Sequence, residues 1–69
     1  MDIIRRIEYM ESLYDLALRT GQVPRELRDY YENGQWRRDY EADERGELPS
    51  NLKRGVLSQD GLWDLLIGE

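Results

Sequence analysis

Residues 36–66 read WRRDYEADERGELPSNLKRGVLSQDGLWDLL, and the fold follows from how this stretch is broken. It holds both tryptophans, the densest run of acid, and chain breaks at Gly46, Pro49 and Gly55. Trp36 and Tyr40 lie one turn apart, so Gln35 to Arg45 reads as a helix with an aromatic face. Arg37, Glu41 and Arg45 form an i, i+4, i+8 ladder on another face, the simplest explanation of which is surface self-pairing. Asp39, Asp43, Glu44 and Glu47 find no such partner within the helix. Asp43 falls beside Trp36 and Tyr40, and an acid there must find a donor or stay at the rim. Its expected donors are the turn from Ser50 to Arg54, with Lys53 or Arg54 as the ion-pair partner. Gly46 ends the helix, and Leu48-Pro49 is an extended step. Pro49 to Arg54 is expected to form one tight helical turn closed by Gly55. Ser58 is a good N-cap, with Asp60 near the positive end of the helix dipole. The last helix, about 59 to 67, carries Leu62, Trp63, Leu65, Leu66 and Ile67 and is apolar over most of its circumference. Such a helix is either central and buried or partly reserved for a partner.

Working outward, residues 2 to 19 read as a long first helix. Ile3, Ile7, Met10, Tyr14 and Ala17 repeat at steps of four and three on one face, widened by Ile4 and Leu18. Arg5, Glu8, Ser12, Asp15 and Arg19 fall opposite and read as solvated. Thr20-Gly21 supplies the stop. Tyr9, Leu13 and Leu16 lie off the main stripe. They are either scattered apolar surface or a docking strip for a second copy or another protein. Val23-Pro24 restarts the chain with proline at a first helical position. Residues 24 to 32 give a short helix with Leu27, Tyr30 and Tyr31 inward, stopped by Asn33-Gly34. No stretch alternates as a strand does. The expectation is an all-α fold: a single small helical domain over residues 1–69 with about four helices, the first long and the rest short.

The totals agree with a small helical domain and narrow its chemistry. A chain of 69 residues buries only about 60% of the surface its unfolded form exposes, so its stability is marginal. It has no cysteine and no histidine, which removes disulfides, thiolate metal sites and the commonest general base. The formal net charge is -5, from 15 acids against 10 bases, which argues against binding nucleic acid through a basic face. Two basic doublets, Arg37-Arg38 and Lys53-Arg54, do not reverse that balance. No apolar run approaches the roughly 20 residues of a membrane span, and the first residues lack a signal-peptide core. A cytoplasmic location with no membrane partner is the expectation.

One set of residues also resembles a known family. Tyr30-Tyr31, Trp36, Asp39-Tyr40-Glu41, Asp43-Glu44, Gly46, Leu48-Pro49, Leu52 through Ser58, Asp60 and Asp64-Leu65-Leu66 resemble the small bacterial domain-of-unknown-function family 4298. The resemblance runs from Tyr30 to Leu66. It departs from the expected pattern in two places: Thr20 through Asp29 is short for the hairpin before the paired tyrosines, and Trp63 stands where a tyrosine is expected. The resemblance implies a bacterial, cytoplasmic, helical protein and implies no activity.

The residues point to no catalytic centre, no cofactor and no metal site. Asp39 and Asp43, one turn apart, could serve as an acid and base pair, but so small a core leaves little room for a cleft. Asp39, Asp43, Glu44 and Glu47 are oxygen donors without the spacing of a calcium loop. Two tryptophans and five tyrosines are a rich supply of interface anchors. The sequence therefore reads first as a non-enzymatic adaptor or regulator that binds another protein, with a homodimer as a further expectation. Its candidate contact residues are Tyr9, Leu13, Leu16, Trp63 and Ile67, with Asp39, Glu44 and Glu47 steering a basic partner. Asp43, Lys53, Arg54 and Ser58 are the candidate structural polar residues. An acidic mimic of nucleic acid is the alternative, and a small carboxylate-dependent enzyme is a second.

Overall fold

The first helix, α1 (Ile3–Thr20), is set at both ends by side chains that suit those ends. Asp2 has extended backbone geometry and its carboxylate accepts from the Ile4 N–H at 3.2 Å, satisfying one of the free amides of the first turn. Gly21 takes the left-handed conformation at φ 75° and donates to the Ala17 carbonyl, closing the helix as Thr20-Gly21 predicts. The computed structural model describes residues 2–58 and 60–68.

Three more helices follow: α2 (Arg25–Glu32), α3 (Gln35–Glu44) and α4 (Gly61–Ile67). A single 3-10 turn, Gly55–Leu57, lies between α3 and α4. The fold is all-α, with no strand among the described residues. Pro24 caps α2 from extended geometry, one residue before the helical start expected of it. Gly34, at φ 90°, turns the chain between α2 and α3, and the Asn33 side chain accepts from the Gln35 N–H at 2.9 Å.

The core is Ile7 and Ala17 of α1, Leu27 and Tyr30 of α2, Val56 and Leu57 of the 3-10 turn, and Leu62 and Leu66 of α4. The 3-10 turn touches α1, α3 and α4, which makes three residues the meeting point of the fold. Ile3, Met10, Leu13 and Tyr14 pack half-buried around this core. Leu18, expected on the core face, is instead 58% exposed: it lies one position past Ala17, where α1 has turned away from its neighbours. No helix is long and apolar enough to cross a membrane among the described residues.

The segment between α3 and α4 departs from the sequence reading in two places. Pro49 to Leu52 forms a hydrogen-bonded turn, with the Leu52 N–H donating to the Pro49 carbonyl at 3.2 Å, and the helical geometry comes later. Gly55 therefore opens the 3-10 turn and does not close an earlier one. A Cβ there would stand 3.0 Å from the Glu11 carboxylate, so the close approach of α1 explains the glycine. α4 begins at Gly61, not near 59, and residue 59 itself lies outside the described residues. The Ser58 hydroxyl still serves the helix start, accepting from the Gly61 N–H at 3.3 Å. A Cβ on Gly61 would meet the Tyr14 hydroxyl at 2.7 Å and would force that side chain to shift.

Candidate functional site

The strongest polar constellation lies inside the fold. Asp39 of α3 has 0% of its surface exposed. Its carboxylate accepts from Arg6 Nε at 3.0 Å, from Arg6 Nη2 at 2.5 Å and from the Tyr30 hydroxyl at 2.6 Å. Three donors on a buried carboxylate replace the water it has lost, which is the condition for keeping a charge inside. Burial and the Asp39 hydrogen bond together push the Tyr30 hydroxyl far above the ordinary tyrosine range. The same carboxylate, by hydrogen bonding first, raises Arg6 against the opposing effect of burial. Asp39 is thus the brace that ties α1, α2 and α3 together. The expectation that it steers a partner from the rim is corrected: a carboxylate with no exposed surface and three internal donors presents nothing to solvent.

A second brace involves Asp43, and here the sequence reading and the structure agree. Arg54 Nη1 donates to Asp43 Oδ1 at 2.5 Å. The same guanidinium donates to the Leu52 carbonyl at 3.3 Å and to the Pro49 carbonyl. One arginine therefore locks the 49–54 loop to the end of α3. Lys53, the other candidate, is exposed. Asp43→Ala should cost about 1–3 kcal/mol, since the Arg54 fork would be left without its anion. Asp43→Asn should recover part of that loss in thermal melts, and a melting temperature unchanged in both variants would rule the brace out.

Glu11, which local spacing does not single out, makes a third tie. Its carboxylate accepts from the Val56 N–H at 2.8 Å, capping the 3-10 turn from a helix 45 residues away in sequence.

The aromatic residues form a ladder across the outside of α2, α3 and α4. Trp36 and Tyr40 stack with ring centroids 5.1 Å apart and planes at 12°. Tyr31 lies 5.2 Å from Trp36 on one side and 6.2 Å from Trp63 on the other. Trp36 is fixed by its indole N–H, which donates to the Val56 carbonyl at 2.8 Å. Trp63, at the end of the ladder, is 47% exposed, and Ile67 one turn further along α4 is 61% exposed. Leu62 and Leu66 fill the inward side of α4, so the apolar circumference divides into a buried half and an outward half.

The remaining contact candidates fare unequally. Leu13 is half-buried against the core, which removes it from the strip proposed for α1. Tyr9 is 46% exposed and Leu16 40% exposed. The Tyr9 hydroxyl donates to Glu26 of α2 at 2.8 Å, and that bond raises its pKa. Tyr9 reaches α2 at Glu26 and Trp63 reaches it at Tyr31, positions about 140° apart around a helix. The four exposed apolar candidates therefore do not share one surface of α2. Among the acids, Glu44 is exposed beside Trp36 and Tyr40. Glu47 is exposed but engaged by Arg45 at 2.7 and 3.2 Å, a hydrogen-bonded pair that lowers its pKa. Arg45 thus turns away from the expected ladder, while Arg37 and Glu41 keep theirs at 3.8 Å. Among the described residues no group of three acidic side chains is disposed to hold a metal ion.

Arg6 and Glu11 are the residues that local reasoning passed over, and Tyr30 was placed inward without its bond to Asp39. Arg6 had a visible signal: it is three residues from Ile3 and four from Met10, which places an arginine on the apolar face of α1.

Comparison with known proteins yields one match. No curated protein and no solved structure matched the chain. The family model described as Domain of unknown function (DUF4298) matches residues 5–69. That match takes in α1, with Arg6 and Glu11, as well as the stretch from Tyr30 onward, and the chain belongs to this family.

Proposed function

We propose that this member of the DUF4298 family works by contact with another protein and carries no catalytic centre of its own. The observation that carries the reading is the outward half of α4. Trp63 and Ile67 stand one turn apart, 47% and 61% exposed, at the open end of a ring ladder that holds Trp63 in place. A positioned tryptophan with an aliphatic neighbour is the kind of anchor that dominates interface energies. Glu44 is exposed at the other end of the same ladder, beside Trp36 and Tyr40, and supplies an acidic charge there. Such a charge sets association rate and salt dependence more than affinity.

The carboxylates that an acid–base reaction would need are committed elsewhere, Asp39 to Arg6 and Tyr30 and Asp43 to Arg54. A nucleic-acid mimic needs free acids along one continuous track. With Asp39 buried and Glu47 engaged by Arg45, the acids of α3 and of the segment after it do not supply one. A bacterial, cytoplasmic setting belongs to this same proposal.

The test uses the double variant Trp63→Ala, Ile67→Ala in the full chain. Its melting temperature is expected to fall by only a few degrees, because both side chains are already half in water. Capture of a partner from the native host should be lost. Sedimentation of the wild-type chain shows whether a second copy is that partner, since the variant would then abolish dimer at high concentration. A variant that unfolds outright would make these residues core, and a folded variant with undiminished capture and assembly would sink the reading.

A further inference from the structure

A groove of about 710 Å³ runs along the outer side of α1, between that helix and the 49–53 loop. Its volume falls in the range of small-ligand and peptide-anchor sites. Along α1 it extends from Ile4 to Asp15, which at the rise of an α-helix is about 16 Å, or three turns. Ile4 and Leu52 face it from the two walls as half-buried apolar surface. The lining carries three carboxylates, Glu8, Glu11 and Asp15, against the single ammonium of Lys53.

Both walls are held in place before anything binds. The loop wall is fixed by Arg54, whose guanidinium ties Asp43 and the carbonyls of Pro49 and Leu52. Glu11 is already committed to the Val56 N–H. Glu8 and Asp15 are not committed. Glu8 is exposed and enters no ion pair among the described residues, and Asp15 meets Arg19 at 3.6 Å with both side chains mostly in water. A pair of that kind contributes little.

We propose that this groove docks a basic amphipathic segment of another protein, about three helical turns long. An apolar side chain of that segment sits against Ile4 and Leu52, with lysine or arginine beside Glu8 and Asp15. The inference rests on the contact reading above and gives it a second surface, distinct from Trp63 and Ile67. Charge selects the occupant. A second copy of this chain brings a net charge of -5 to an already acidic groove, and a nucleic acid brings phosphates; both are repelled. A basic segment is attracted, and a rigid groove spares it part of the ordering cost of binding.

The probe is a synthetic leucine–lysine amphipathic peptide of about 12 residues, close to three helical turns, titrated into the isotope-labelled full chain. Its counterpart with glutamate for lysine is the control. Saturable amide shifts are expected over residues 4–15 and 50–53 with the basic peptide alone. Glu8→Lys with Asp15→Lys should weaken binding about tenfold or more and flatten its salt dependence. The melting temperature should stay near wild type, since neither side chain is buried. Trp63→Ala should leave the affinity unchanged. Shifts centred on residues 63 and 67 would overturn the groove while leaving the contact reading standing. The absence of saturable shifts, or equal binding of the acidic peptide, would overturn the groove. Shifts at the same amides on simple concentration of the free chain would make a second copy the occupant and overturn the proposal too.

Discussion

Asp39→Ala is expected to remove a large share of the protein's stability, about 3–5 kcal/mol. The substitution leaves the Arg6 guanidinium and the Tyr30 hydroxyl facing a buried space with no acceptor. Breaking one side of a buried charge pair costs about 3–5 kcal/mol. A domain of this length has only about 3–10 kcal/mol to lose. The melting transition should therefore drop by at least ~12 °C or vanish. Arg6→Ala should behave similarly, because the carboxylate would keep one neutral donor in place of a charged fork. A contrasting result is expected from replacing the whole constellation. Arg6→Met, Tyr30→Phe and Asp39→Leu together remove every charge and every stranded donor, and such apolar replacements are often neutral or stabilising. The triple variant should then be more stable than Asp39→Ala alone. A melting temperature for Asp39→Ala within a few degrees of wild type would show that the constellation is not structural.

The second large effect is expected at high pH. Tyr30 is held protonated by burial and by its bond to Asp39, so its folded pKa lies well above the unfolded value near 10. Below pH 10 both states carry the proton and stability does not depend on this group. Above pH 10 the unfolded chain releases the proton and the folded chain retains it, so stability falls as pH rises. The slope approaches about 1.4 kcal/mol per pH unit for one such group. Denaturant midpoints measured from pH 8 to 12 should be flat and then fall steeply above about 10. Tyr30→Phe should lower the midpoint at neutral pH by removing a donor to Asp39, and should make the alkaline fall distinctly shallower. Tyr14, raised mainly by burial, remains to supply a smaller part of it. An unaltered alkaline limb in Tyr30→Phe would assign the titration to another group.

These two effects come from residues that sequence reading treated unequally. Helix bounds were legible where a local signal sets them: Thr20-Gly21 after α1, and Asn33-Gly34 before α3. Asp43 was legible because its donor, Arg54, lies only 11 residues on, in the loop that follows α3. Asp39 was misplaced at the rim although its spacing from Trp36 and Tyr40 equally suits an inward position. Its partner, Arg6, is 33 residues away, and periodicity within one helix carries no information about such a distance. Arg6 on the apolar face of α1 and Asp39 on the apolar face of α3 were each anomalous alone. Paired, they explain one another. Glu11 was missed for the same reason, its acceptor role being set by a backbone amide 45 residues on. The all-round apolar character of α4 left open whether the helix is wholly buried, and the structure divides it between Leu62 and Leu66 inside and Trp63 and Ile67 outside.

The tie between Glu11 and the amide of Val56 has a bearing on how the chain reaches this state. It joins one end of the molecule to the other, and the 3-10 turn that it secures is where three helices converge. Closing so long a loop is an entropic expense met before any compensating contact forms. Neither α2 with α3 nor α1 alone has a complete hydrophobic centre while Val56 and Leu57 are absent. No autonomous subassembly is thus available to a chain still in synthesis, and acquisition of structure must await the segment Gly55–Leu57. Its unfolding should accordingly be a single concerted event, and a nascent chain halted before Gly55 should display its helices, if at all, only as fleeting local excursions.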